Sequence, residues 1–153
     1  MQISEPILRI SVPEQRLDLI SGEEILASYP VSTSRFGLGS EEGSMKTPLG
    51  KFKIGEKIGG DFPAGTIFRN RQPLAPEEIV LPSDDLIVSR ILWLDGLEEQ
   101  NANTRDRFIY IHGTNHEEEI GQPASHGCIR MKNDDLIALF DQVPLGAEVV
   151  IAA

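Results

Sequence analysis

Apolar and polar residues alternate along the first third of the chain, which is typical of β-strands with one buried face. The alternation predicts three strands in a meander, at residues 7–12, 16–20 and 24–31. A loop rich in glycine, serine and threonine follows at residues 32–50, and a short strand is predicted at residues 51–54. This part of the chain therefore predicts a β-sheet.

Further strands are predicted at residues 86–94, 108–112 and 148–151. The helical pattern falls on residues 133–142, where Asn133 suits the N-cap and two aspartates follow it in the first turn. The apolar stripe of this helix is Leu136, Ile137, Phe140 and Val143.

Residues 55–85 contain several prolines and few periodic runs, which is typical of a lid or binding loop. The elements together predict a mainly β fold with one clear helix near the C-terminus. At 153 residues, the chain is long enough to form one domain over residues 1–153 with a sizeable core.

The formal net charge of −10 argues against binding to nucleic acid or to anionic membranes, because both need a basic surface. The first nine residues lack the basic and apolar regions of a signal peptide, and no apolar run is long enough to span a bilayer. The chain as written is therefore expected in the cytosol. If an export signal has been removed, the periplasm or cell envelope is expected instead.

The single cysteine, Cys128, lies in the sequence SHGCIR at residues 125–130 and excludes an internal disulfide. One interpretation is a small buried apolar residue. The other is a nucleophile, because the neighbours are small and polar, and the amides of Gly127 and Cys128 suit a developing oxyanion. We expect Arg130 and the nearby histidines to lower the thiol pKa.

A thiol nucleophile needs a base, and the candidates are His112, at the end of a predicted strand, and His126, two residues before Cys128. The carbonyl of Gly113 suits an orienting role for the His112 imidazole, while His126 fits either direct catalysis or ordering of the loop. A zinc site is the alternative, with His112 and His116 completed by Cys128 or His126. The β-rich run before Gly113 disfavours the helix that this spacing needs.

The sequences HGT at 112–114 and SHGCIRM at 125–131 resemble the signature of the L,D-transpeptidase catalytic domain, the YkuD-like family. Residues 29–34, 46–52 and 133–143 extend the resemblance. It implies a fold with two mixed β-sheets and no cofactor or metal. It also implies roles for individual residues: Cys128 as nucleophile, His112 as base oriented by Gly113, His126 in the same pocket, Gly127 and Cys128 as oxyanion donors, and Arg130, Ser125 and Thr114 as substrate-binding residues.

The resemblance further implies a substrate, the peptidoglycan stem tetrapeptide or its fragments. The cysteine would cleave the bond between the diamino acid and D-alanine and form a thioester. An amine acceptor gives transpeptidation, whereas water gives an L,D-carboxypeptidase suited to cytosolic recycling of wall fragments. Carbapenems are expected to inhibit covalently. A zinc hydrolase and a non-catalytic peptidoglycan-binding module are the other hypotheses.

Overall fold

The computed structural model describes residues 5–153, so the part of the signal-peptide prediction that concerns residues 1–4 lies outside it. Over the described residues the chain forms ten strands, one α-helix and two short 3₁₀ turns. The strands are β1 (Ile7–Ser11), β2 (Arg16–Ser21), β3 (Glu24–Ser32), β4 (Gly50–Ile58), β5 (Ile67–Arg69), β6 (Gln72–Pro73), β7 (Ile87–Gly96), β8 (Tyr110–Gly113), β9 (Ile129–Met131) and β10 (Glu148–Ala152), and the helix is α1 (Asn133–Gln142).

The strands form one closed sheet in the order β4-β10-β1-β2-β3-β9-β8-β7, with β7 pairing back to β4 and β5-β6 extending from β7. The pairs β1–β10 and β8–β9 are parallel and the others antiparallel, so the sheet is mixed as expected. Where two mixed sheets were expected, the described strands join into this one closed sheet. A bulge at Gly55 bends β4 where it pairs with β7, and a second irregularity at Ser89 and Arg90 bends β7 where it pairs with β8. With these bends, β7 pairs with β4 on one side and with β8 on the other, which closes the sheet.

Alternating residues of the strands fill one main apolar core. Leu8, Ile10, Phe52 and Ile54 are fully buried, as the period-two pattern of β1 and β4 requires. The helix packs on β7 and β8, where its residue Leu136 joins the same core. Full burial of each such side chain contributes about 1.5–3 kcal/mol, so this core holds β8 and β9 rigidly in place.

The mainly β class and the single helix at 133–142 are confirmed. The predicted N-cap is wrong, because Lys132 occupies that position and Asn133 is already helical. The side-chain amide of Asn133 instead donates to the Thr114 carbonyl oxygen at 2.8 Å, and the Asn133 backbone N–H donates to the Glu117 carboxylate at 2.8 Å. The Glu117 carboxylate, distant in sequence from the helix, thus accepts a hydrogen bond from a backbone N–H at the helix N-terminus that would otherwise have no partner in the helix.

The segment 55–85 is more ordered than predicted, since β4 continues to Ile58 and the segment also contains β5 and β6. Within residues 5–153, no helix has the length and apolar character needed to cross a membrane.

Candidate active site

The parallel pair β8–β9 sets the geometry of the site. Ile111 pairs with Ile129 and His112 pairs with Arg130. Both isoleucines are fully buried in the main core. Because successive residues of a strand point to opposite faces, His112 and Arg130 project from the other face of the sheet. Cys128 directly precedes β9 and shares that face.

The Cys128 sulfur lies between two backbone groups. Sγ accepts a hydrogen bond from the Tyr110 N–H and donates one to the Phe108 carbonyl oxygen, each at 3.3 Å. Burial raises the pKa of the Cys128 thiol to about 11, although the Tyr110 N–H and the cations of Arg130 and Arg107 oppose this shift. The expected lowering of the thiol pKa is therefore wrong for this state, and the resting sulfur is a neutral thiol.

His112 is buried, and its Nδ1 lies 2.5 Å from the Gly113 carbonyl oxygen. Because a carbonyl only accepts hydrogen bonds, this contact places the proton on Nδ1 and leaves the lone pair on Nε2. Burial lowers the pKa of His112, while the Gly113 carbonyl and the Asp85 carboxylate oppose that shift. The imidazole is therefore neutral and suited to accept a proton.

Gly113 is fixed by close packing. A Cβ atom at this position would lie 2.2 Å from the Asn133 Oδ1 atom and 2.4 Å from the Val88 carbonyl oxygen. These contacts leave no room for a side chain beside the histidine.

The nucleophile and the candidate base are not directly hydrogen-bonded. Within residues 5–153, the Cys128 sulfur hydrogen-bonds only to the backbone of Phe108 and Tyr110. Proton transfer from Sγ to His112 therefore requires the thiol to rotate away from the Phe108 carbonyl. Such contacts are often long before substrate binds.

Asp85 connects two predicted site residues, His126 and Arg130. Its Oδ2 atom lies 2.9 Å from the His126 Nδ1 atom and 2.9 Å from an Arg130 guanidinium nitrogen. Burial alone would raise the pKa of Asp85, but the hydrogen bond from His126 and the charge of Arg130 lower it overall. His126 and Arg130 are thus tied to a carboxylate and do not contact the sulfur directly.

The loop before β9 is held by its own hydrogen bonds. The Ser125 hydroxyl donates to the Cys128 carbonyl oxygen at 2.5 Å and accepts from the Gly127 N–H at 3.3 Å. Thr47 Oγ1 donates to the Gly127 carbonyl oxygen at 3.0 Å. The Gly127 amide is therefore engaged, whereas the Cys128 N–H, within the described residues, bonds to no side chain or loop carbonyl. Ser125 thus orders this loop, and its predicted substrate contact stays a prediction.

Thr114 lies directly after β8. It is fully buried, and its hydroxyl oxygen accepts the His116 backbone N–H at 3.0 Å. Its carbonyl oxygen accepts the Asn133 amide. The residue supports the turn after β8 and is not exposed to a substrate.

The predicted zinc ligands do not come together. Within residues 5–153, the one cluster of three or more residues with ligand spacing is His116, Glu118 and Glu119. His112 and Cys128 are not in it. The His116 Nε2 atom is also occupied, since it lies 2.9 Å from the Asp84 carbonyl oxygen.

A cavity of about 310 Å³ opens beside the sulfur. Its lining consists of Asn70, Arg71, Ile87, Phe108, Tyr110 and Cys128. A groove of about 480 Å³ shares Asn70 and Ile87 with this cavity and extends to Asp85. The segment predicted as a lid or binding loop therefore supplies walls of the cleft.

The family model of the L,D-transpeptidase catalytic domain, YkuD, matches residues 5–151. The chain belongs to the L,D-transpeptidase family. This confirms the resemblance inferred from the sequences around His112 and Cys128.

Curated L,D-transpeptidases are similar over unequal lengths. The putative L,D-transpeptidase YkuD of Bacillus subtilis is 28% identical over 144 residues, which are 94% of this chain and 64% of that protein. The putative L,D-transpeptidase YqjB of the same organism is 50% identical over 52 residues, 33% of this chain and 30% of that protein. The chain thus matches less than two thirds of either relative.

Solved L,D-transpeptidase structures share the fold. An L,D-transpeptidase from Mycobacterium smegmatis superposes with a TM-score of 0.66 at 18% identity, over 98% of this chain and 59% of that one. The L,D-transpeptidase LdtMt1, solved in complex with imipenem, gives a TM-score of 0.62 at 20% identity, over 97% of this chain and 59% of that one.

Two residues of this L,D-transpeptidase site were not predicted from the sequence, Asp85 and Arg71. Asp85 follows another aspartate in a proline-rich segment, and Arg71 lies in a short turn. Neither lies in a periodic run or beside the cysteine motif, so only the fold shows that they reach the cleft.

Proposed function

We propose that this L,D-transpeptidase is a cysteine-dependent acyltransferase on peptidoglycan stem peptides. It cleaves the bond between the diamino acid and D-alanine and passes the acyl group to an amine. The observation that carries the proposal is the pairing of two groups on one sheet face. Cys128 lies at a cavity, and His112 presents an unprotonated Nε2 on the neighbouring strand.

In the acylation step, His112 Nε2 accepts the thiol proton and Sγ attacks the carbonyl carbon of the diamino acid. The oxygen of the tetrahedral intermediate accepts a hydrogen bond from the Cys128 N–H. The intermediate collapses as the C–N bond breaks, and the proton on His112 passes to the departing amine. D-Alanine leaves, and the acyl group stays on sulfur as a thioester.

In the second step, an amine attacks the thioester carbonyl and gives a proton to His112. The new C–N bond forms, the C–S bond breaks, and the proton returns to Sγ. Hydrolysis by the same route is the second candidate function, since Cys128 is only partly buried and lies at a cavity large enough to admit water. The product is then a tripeptide acid, as expected of an L,D-carboxypeptidase.

Covalent inhibition by carbapenems belongs to the same proposal. LdtMt1 was solved in complex with imipenem, and L,D-transpeptidase 3 from Mycobacterium tuberculosis with a faropenem-derived adduct. These two complexes support the expectation that a carbapenem acylates Cys128, because the nucleophile attacks the β-lactam carbonyl as it attacks the peptide carbonyl.

Product analysis tests the proposal. The protein is incubated with stem tetrapeptide, with and without millimolar D-methionine, and the products are identified by mass spectrometry. A tetrapeptide carrying D-methionine supports transfer, whereas tripeptide alone in both reactions supports hydrolysis. Absence of both products, or equal product from Cys128→Ala, contradicts a cysteine acyltransferase.

A further inference from the structure

Arg71 occupies an unusual position for an arginine. Asn70 and Arg71 form the two-residue turn between β5 and β6, with φ values of 50° and 63°. Turns of this kind favour asparagine and glycine, because the left-handed region is disfavoured for residues with a long side chain. The backbone here holds a guanidinium over the cleft.

The guanidinium of Arg71 packs against the residues that surround the sulfur. Its carbon lies 4.9 Å from the centre of the Trp93 ring and 5.1 Å from that of Phe108, and one nitrogen donates to the Tyr110 hydroxyl at 3.2 Å. The backbone groups of Phe108 and Tyr110 are the ones that hydrogen-bond to Sγ. Phe108 and Tyr110 therefore bind the sulfur through their backbone groups and hold the Arg71 guanidinium through their side chains, in the cavity beside Cys128.

Arg71 has no acidic partner within residues 5–153, although Asp and Glu outnumber Lys and Arg by 24 to 14 in the chain. Arg16, Arg69, Arg105 and Arg130 all form ion pairs with carboxylates. A guanidinium carries five N–H donors, and the Tyr110 hydroxyl uses one of them. The remaining donors match a carboxylate, which arginine binds through two parallel hydrogen bonds.

We propose that Arg71 is a specificity-determining residue that binds the terminal carboxylate of the departing D-amino acid. The inference rests on the proposed acyl transfer and identifies one contact between the protein and the acyl donor, the stem tetrapeptide. That carboxylate is attached to the Cα next to the scissile nitrogen, so it must enter the cavity beside Cys128 when Sγ reaches the carbonyl carbon. Among the residues that the structure describes, Arg71 is the one cationic residue in the lining of that cavity.

Binding measurements test the role of Arg71 without depending on turnover. In the Cys128→Ala background, the affinity for the stem tetrapeptide is compared with that for the same peptide ending in a carboxamide. We expect the acid to bind about 10- to 100-fold more tightly, the range for hydrogen bonds between charged groups. Adding Arg71→Gln should remove this preference, and Arg71→Lys should keep part of it, because lysine has the charge without the planar pair of donors.

Arg9→Gln is the matched control, since Arg9 is exposed on β1, across the closed sheet from β8. It removes the same charge and should leave the preference unchanged. Equal binding of acid and carboxamide, or a preference that survives Arg71→Gln, overturns the inference. Loss of affinity for both peptides in equal measure also overturns it, because that result assigns Arg71 a structural role.

Turnover by the wild-type protein is read separately with the acid donor. Arg71-dependent preference for the acid without any product upholds the contact and contradicts the proposed reaction. Product formation without such a preference upholds the reaction and contradicts the contact.

Discussion

Replacing Asp85 with asparagine should destabilise the protein, because Arg130 depends on this carboxylate. The Arg130 side chain is 3% exposed, and its Nε and Nη1 atoms have no hydrogen-bond partner among residues 5–153. The second carboxylate nearby, that of Glu119, is 3.9 Å away. Removing one partner of a buried ion pair costs about 3–5 kcal/mol. Since the Asp85 side chain is 32% exposed, water compensates in part, and we expect a loss of about 2–3 kcal/mol.

Urea denaturation at pH 7 measures this loss. Asp84→Asn is the matched control, because Asp84 makes a hydrogen bond to the Leu81 N–H and, within the described residues, no ion pair. It should cost at most about 1 kcal/mol. A double-mutant cycle with Arg130→Gln should give a coupling energy of at least about 1 kcal/mol. Equal losses for Asp85→Asn and Asp84→Asn would refute the reasoning.

The pH dependence of the same loss has a defined sign. The folded protein lowers the pKa of Asp85, so the stabilisation is fully present above the unfolded value of about 3.9 and is lost as the pH falls through the folded pKa. The difference in unfolding free energy between wild type and Asp85→Asn should therefore shrink as the pH falls below about 4. A difference that grows below pH 4 would assign the stabilisation to another group.

Three further predictions concern the catalytic groups. His112→Ala should lower the acylation rate by about 10²–10⁴-fold. His126→Ala should lower the rate by less, because His126 contacts Asp85 and not the sulfur. A larger loss of rate in His126→Ala would reverse the assignment of the base. Iodoacetamide should alkylate Cys128 of the free protein at pH 7 about 100-fold more slowly than free cysteine. The alkylation rate should rise with pH up to about pH 11. Alkylation of Cys128 as fast as that of free cysteine would contradict a neutral thiol. Gly113→Ala should lower both the acylation rate and the melting temperature, since its Cβ would lie 2.4 Å from the Val88 carbonyl oxygen. Gly121→Ala has open space around the Cβ but a φ of +105°, so it should lower the melting temperature through backbone strain without affecting the acylation rate. Wild-type kinetics in Gly113→Ala would contradict the packing.

The sequence predicted the elements whose pattern is local. The period of two in β1 to β3 and the helical period of α1 depend on neighbouring residues alone, and these elements were located to within one residue. Within the helical stripe, Leu139 is buried where Ile137 was predicted. Closure of the sheet through β4 and β7 was not predicted, because it depends on bulges and on pairing between distant strands. The N-cap was wrong because tertiary contacts recruit the Asn133 side chain.

The site residues likewise divide into those that a local sequence pattern indicated and those that only the tertiary fold shows. The motif around Cys128 and the HG pair at 112–113 were named as candidate site residues from the sequence, and the structure places them on or beside the paired strands β8 and β9. The thiol pKa was predicted in the wrong direction, because burial of the sulfur outweighs the cations near it. Asp85 and Arg71 lie at the cleft because the proline-rich segment that contains them folds along it, and no local sequence pattern predicts that path.

The central claim is that Cys128 carries the acyl group. The most direct measurement is intact-protein mass spectrometry of the wild type, quenched with acid within seconds of adding stem tetrapeptide. We expect an added mass equal to the tetrapeptide minus D-alanine, located on the peptide that contains Cys128, reversed by hydroxylamine and absent from Cys128→Ala. Turnover with no such adduct on the wild type, or an adduct that persists in Cys128→Ala, would contradict the account.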